Sequence, residues 1–233
     1  TESYTEDGTI EAPYKTLQGA LAAKLINGNT GGFRFLLRPA IYDVSSGISI
    51  EHTYPNMQFS VEGGNGVLVK CSGTSITNDI FYFRKFATVI LKDLRLLYGK
   101  YGIYIRDCQS VTIDNCQIFA CGSNGAASNH DFSNTQAEQA AAWASANTSN
   151  GGAMRLRDIQ RITVTNNMVS KCLRGIRVQD INSSAPIPSL ISGNQIYDTC
   201  ESSIYLASGS YGFTNDSSKG CRNILVSNNK IIG

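Results

Sequence analysis

Apolar and polar residues alternate in short runs along this chain, and the runs recur at a spacing of 22 residues. GIYIRD (Gly102–Asp107), AMRLRD (Ala153–Asp158) and GIRVQD (Gly175–Asp180) share one pattern and all finish on Asp. Asp158 and Asp180 stand one period apart, whereas a 29-residue insertion lengthens the interval between Asp107 and Asp158. Alternation with period 2 predicts strands. A fixed repeat of this length predicts a solenoid, in which each unit buries its apolar face on its neighbours. The expected fold is therefore all-β, a right-handed parallel β-helix of about 22-residue coils, forming one domain over residues 1–233.

A second ladder runs in step with the first. Val111–Asn115, Ile162–Asn166 and Ile224–Asn228 each place alternating aliphatics before an Asn, and Asn194 is expected to take the same place in the intervening coil. Asn accepts left-handed backbone angles, and its amide bonds well to an Asn one coil away. Phe81/Phe83 and Val89/Leu91 lie one period before Ile103/Ile105 and Val111/Ile113, and Phe59/Val61 and Val67/Val69 continue the alternation around a Gly63–Gly66 turn. Leu17, Ala20, Leu21 and Leu25 fall at helical spacing within Pro13–Ile26, before Asn27-Gly28. Residues 1–30 should thus form a helical cap over the open first coil. At the other end the sequence stops partway through a coil, so the chain is expected to be a fragment continuing beyond Gly233.

Composition narrows the partners. A net charge of +2 is too small to argue for nucleic acid, and no run of apolar residues is long enough to insert in a membrane. Seven cysteines are present. Cys121 and Cys172 share one ladder position, with Cys200 one residue out of register, and Cys108 and Cys221 share another, where other coils carry Ile159 and Ile181. They replace aliphatics, as small buried free thiols do, which suits assembly in a reducing cytosol. No CxxC pair or His partner accompanies them, so no metal and no cofactor is expected.

The candidate chemistry lies on the outward positions of the GIYIRD-type strands. They read Tyr82 and Arg84, then Tyr104 and Arg106, Arg155 and Arg157, Arg177 and Gln179, and Tyr205. Flat Tyr rings stack on sugar faces and Arg forks grip carboxylates, sulfates or phosphates; the same residues would also simply coat an exposed sheet. Insertions flank these strands: residues 122–150, with a helix expected at Thr135–Ala146 that carries Trp143, and residues 181–188 and 208–220 on the opposite margin. Long loops on a rigid scaffold usually mark function; packing against a neighbouring subunit is the other use for 122–150. Asp107, Asp158 and Asp180 form an acidic column, and paired carboxylates of that kind serve glycoside hydrolysis; capping a turn is the other task open to them. His130, beside Asp131 in the insertion, is the alternative acid–base group.

Asp7-Gly-Thr9, Pro13–Gln18, Ala20-Leu21 and Arg38–Tyr42, with Ala40 where many relatives have Gly, resemble the opening of the pectin-lyase-like superfamily of right-handed parallel β-helices. The resemblance implies that the GIYIRD strands line a substrate groove. The superfamily includes lyases, hydrolases, epimerases and phage tailspikes, so the fold does not by itself choose among them. The chain looks most like a phage tailspike or tail-fibre domain. That implies a homotrimer in the virion tail, assembled in the host cytoplasm, which binds and, as a hydrolase or lyase, depolymerises a bacterial surface polysaccharide. The alternatives are a secreted polysaccharide lyase or epimerase on uronate-rich glycans, and a non-catalytic structural shaft or adhesin.

Overall fold

A computed structural model describes residues 16–25, 32–44, 46–51, 57–71, 78–122, 151–181, 187–199, 202–207 and 220–232. The chain begins with helix α1 (Leu17–Leu25), then β1 (Phe33–Leu36), β2 (Ala40–Asp43), β3 (Ile48–Glu51), β4 (Gln58–Glu62), β5 (Val67–Lys70) and β6 (Phe81–Arg84). β7 (Thr88–Lys92), β8 (Arg95–Leu97), the long β9 (Tyr101–Asp114), β10 (Gln117–Phe119), the long β11 (Gly152–Thr165) and β12 (Met168–Ser170) follow. β13 (Arg174–Ile181), β14 (Ser189–Ser192), β15 (Gln195–Tyr197), β16 (Ser202–Ala207), β17 (Ile224–Ser227) and β18 (Lys230–Ile232) complete it.

Every strand pairs in parallel with a strand of a neighbouring coil, and the molecule is a right-handed parallel β-helix. Three faces result. β3, β6, the first halves of β9 and β11, β13 and β16 form one. β1, β4, β7, the second halves of β9 and β11, β14 and β17 form the next. The third runs β2, β5, β8, β10, β12, β15, β18.

What turns a strand into a coil is one left-handed residue at each corner. The first corner holds Lys85, Asp107, Asp158 and Asp180; the second Asp93, Asn115, Asn166, Gly193 and Asn228; the third Tyr98, Ala120, Lys171 and Asp198, all with φ between 50° and 71°. A single such residue between extended ones bends the backbone and resets the alternation, so the next side chain points inward. Phe86, Cys108, Ile159 and Ile181 occupy that inward place after the first corner, and all are buried. Asp and Asn are the non-glycine residues that tolerate this conformation best, which explains the Asp that ends each motif.

The Asn column divides at this corner. Asn115, Asn166 and Asn228 are exposed left-handed residues, and Gly193, not Asn194, is their counterpart. Asn194 belongs one residue later, in a ladder with the buried Asn167 and the half-buried Asn229. Asn167 donates from Nδ2 to Asn194 Oδ1 at 2.9 Å, and Asn194 does the same to Asn229. Each amide also serves its neighbours' backbone: Asn194 Nδ2 donates to Val164 O at 3.0 Å and Asn194 Oδ1 accepts from Asn167 N at 3.0 Å. Cys116 occupies the same place one coil earlier, its N–H held by Asn167 Oδ1.

Cysteines follow the same rule. Cys108, Cys116, Cys121 and Cys172 each come directly after a left-handed corner, are buried, and donate the thiol hydrogen to the carbonyl two residues back. The six described cysteines are free thiols, as expected. Burial pushes Cys108 up to about 11 and Cys116 up to about 12, so both stay protonated.

Apart from the amide ladder the core is mainly apolar, with Phe59, Phe81, Phe83 and Phe86 clustered in the early coils at ring separations of 4.8–6.2 Å. Helix α1 caps this end as expected: Thr16 Oγ1 accepts from Gly19 N at 3.0 Å, and Leu17 and Leu21 join the core. Tyr42 closes the Arg38–Tyr42 turn by donating its hydroxyl to Arg38 O at 3.0 Å. The long insertion leaves and returns at one pinch, where a Cβ on Gly151 would meet Gly122 Cα at 2.6 Å. The coil register therefore survives it. The helix expected at 135–146, the Asp7-Gly-Thr9 motif and residues 182–186 and 208–219 of the loops on the opposite margin lie outside the described residues.

The amide ladder yields a test. Asn194→Ala strips partners from Asn167 and Asn229 inside the core and should cost about 2–4 kcal/mol. Asn166→Gly, at the exposed left-handed corner one residue out, should cost about 0.5 kcal/mol or less. Urea midpoints of the two variants measure this; equal losses would reject the division of the Asn column.

Candidate functional site: a tyrosine and arginine ladder

The outward residues of the first face stack in register. Ser49, Tyr82, Tyr104, Arg155, Arg177 and Tyr205 form one column across six coils, and Glu51, Arg84, Arg106, Arg157, Gln179 and Ala207 form the next. Parallel pairing without slippage is what brings Arg155 beside Arg177, because neighbouring strands lie roughly 4.8 Å apart. All the expected binding residues except Trp143 thus meet on one sheet. Trp143 and His130 lie outside the described residues.

The two columns differ in how their charges are used. In the second, Arg84 Nε donates to Asp107 Oδ2 at 2.6 Å and Arg84 Nη1 to Glu51 Oε1 at 2.9 Å. Arg106 Nε reaches the same Asp107 oxygen at 3.2 Å, and Arg157 pairs with Asp158 at 2.9 Å. These arginines are committed to the corner carboxylates. Asp107, Asp158 and Asp180 do stack as a column at the corner, with Asp180 buried. Their left-handed backbone and the ion pairs of Asp107 and Asp158 give all three a turn-forming role.

The first column keeps its cations for aromatic faces. Tyr82 and Tyr104 meet edge-on at 5.1 Å. Arg155 Cζ lies 4.9 Å from the centroid of Tyr104 and 5.8 Å from that of Tyr101, and Arg177 Cζ lies 5.4 Å from that of Tyr205. Among the described residues neither Arg155 nor Arg177 forms an ion pair. Arg155 Nε donates to the neutral Gln179 Oε1 at 3.2 Å. Arg177 is only 7% exposed, and its Nε is buried without a hydrogen-bond partner.

Two residues complete the cluster that sequence reasoning passed over. Tyr101, at the start of β9, is 1% exposed, and its hydroxyl has no hydrogen-bond partner. Asp79, one period before it, accepts from Tyr101 N at 3.2 Å. Desolvation pushes the Asp79 carboxyl up from 3.8 to about 6, against the pull of the Tyr101 N–H and the charges of Lys100 and Arg155. A carboxyl poised near neutrality within electrostatic reach of Arg155 is suited to proton transfer. Counting 22 residues back from Tyr101 is the sequence signal that finds it.

The fold and this ladder define a pectin-lyase-like β-helix with an aromatic and cationic face. Residues 28–233 match the family described as periplasmic copper-binding protein (NosD), and the chain belongs to that family. No curated protein and no solved structure matches it. No three His, Cys, Asp or Glu residues gather among the described residues, and the corner thiols are buried donors to backbone carbonyls. His52 and His130, the chain's two histidines, lie outside the described residues. The described residues do not fit a copper centre.

Asp79 carries a pH prediction. Its folded value lies above its unfolded one, so its contribution to stability is full below about pH 4 and is lost as pH rises through about 6. Asp79→Asn can keep the Tyr101 N–H bond while removing the charge. The variant should gain on the order of 2 kcal/mol over wild type at pH 8 and almost nothing at pH 4. Thermal melts at the two pH values decide it; a gain that does not change with pH would remove Asp79 from the account.

Proposed function

We propose that this chain binds a polysaccharide along the outward face of β6, β9, β11, β13 and β16. We further propose that it does so as a receptor-binding module of the phage tailspike or tail-fibre type, a homotrimer in the virion tail directed at a bacterial surface glycan. The observation that carries the reading is the unbroken column Tyr82, Tyr104, Arg155, Arg177, Tyr205. A polymer of sugar rings presents faces and polar groups at a regular interval. Rungs roughly 4.8 Å apart, about the length of one pyranose residue, offer it a matching series of stacking and hydrogen-bonding partners. Aromatic faces give such contacts area at small entropic cost.

Asp79 favours a second reading, in which the bound glycan is also cleaved or epimerised, as in an exported polysaccharide lyase, hydrolase or epimerase. Its carboxyl lies beside the ladder and titrates near the pH at which general acid–base catalysis works best.

Binding of purified protein to an array of bacterial surface glycans tests the first reading. Tyr104→Ala, which removes a ring that two neighbours stack on, should weaken binding roughly tenfold. An intact trimer by sedimentation with no glycan bound would leave the structural-shaft reading instead. Reducing-sugar release and unsaturated-uronate absorbance test cleavage: Asp79→Asn should abolish turnover with glycan binding retained, and full turnover in that variant rejects the residue.

A further inference from the structure

We propose that Arg155 and Arg177, with the Tyr101 hydroxyl, form an anion subsite, so that the polymer bound on this face is an acidic one carrying carboxylate or sulfate groups. The inference rests on the glycan-binding reading above and names the chemical class of its ligand. Its basis is an uncompensated charge. Arg155 and Arg177 are paired neighbours on β11 and β13. Removing a guanidinium from water is costly unless a counter-charge is supplied. Elsewhere on the sheet this is done with carboxylates, Asp107 and Glu51 for Arg84 and Asp158 for Arg157. Here no carboxylate is within ion-pair distance of either arginine among the described residues. Arg177 is nevertheless buried.

The groups around the pair include donors that no described residue satisfies. Arg155 directs Nε to the neutral Gln179 Oε1, and Arg177 Nε is buried without a hydrogen-bond partner. Tyr101, whose ring lies under Arg155, adds a buried hydroxyl with nothing to donate to. A carboxylate or sulfate accepts from two guanidiniums and a phenol at once, and such charge-assisted bonds are strong where water is excluded. The ring faces of Tyr82, Tyr104 and Tyr205 then hold the sugar on either side of the charged group.

Titration with polygalacturonate, dextran sulfate and neutral dextran tests this, each by calorimetry at low and high salt. Wild type should bind one of the acidic polymers at least about tenfold more tightly than dextran, with affinity falling as salt rises. Polygalacturonate ahead of dextran sulfate would identify a carboxylate ligand, and the reverse order a sulfate. Arg155→Gln/Arg177→Gln should lose that preference. Arg177→Lys, which keeps the charge and much of the bulk but not the fork, covers the case of an unfolded double variant; it too should bind the acidic polymer about tenfold more weakly. Dextran bound as tightly as the acidic polymers, or Arg177→Lys binding with wild-type affinity, overturns the subsite while leaving the glycan face in place. No binding to any polymer, acidic or neutral, overturns both.

Discussion

A single left-handed residue at each corner is the constraint on which this molecule depends. It bends the strand, resets the alternation of inward and outward side chains, and repeats at the same place in successive coils. Once it is satisfied, hydrogen bonding between coils can proceed in only one register, because a slip by one residue would turn the apolar set outward. The residue after the corner then faces the core, where it is an aliphatic, a thiol that donates to a carbonyl, or an amide that bonds both its own kind and the backbone. Backbone groups left over at the bend are thereby satisfied inside the protein, where an orphan would cost about 1–3 kcal/mol.

The same constraint makes the outer surface. Fixed register converts a residue type repeated along the sequence into a straight column in space, so chemistry accumulates along the solenoid. One column neutralises its arginines with corner carboxylates. The adjacent column does not: it sets its cations against tyrosine rings. Cation–π contact contributes about 0.5–2 kcal/mol, less than the several kcal/mol that burial of an unpaired guanidinium costs. Among the described residues no carboxylate pairs with the buried Arg177, and the proposed acidic ligand brings that charge.

Much of this was legible in the chain itself. The interval between GIYIRD, AMRLRD and GIRVQD fixes the coil, and alternation within each motif separates core from surface, so the columns through Tyr104 and Arg155 follow directly. The Asn ladder was legible only to within a residue, because Asn serves two purposes at this corner: Asn166 holds a backbone conformation and Asn167 fills the core, and in Ser192–Asn194 a Gly takes the first task. The use made of the Asp column could not be read from spacing, since it depends on which arginine side chain reaches it. Asp79 was hidden for another reason. It precedes the first regular motif, and its altered acidity comes from desolvation by burial, which outweighs the opposing pull of Tyr101, Lys100 and Arg155 in two later coils.

Diffraction from crystals of this protein soaked with oligogalacturonate would test the account most directly. It predicts saccharide density running across the coils over Tyr82, Tyr104 and Tyr205, with one acidic group between the guanidiniums of Arg155 and Arg177. Sugar seated on either of the other two faces, or those guanidiniums found pointing to opposite sides of the sheet, would contradict it.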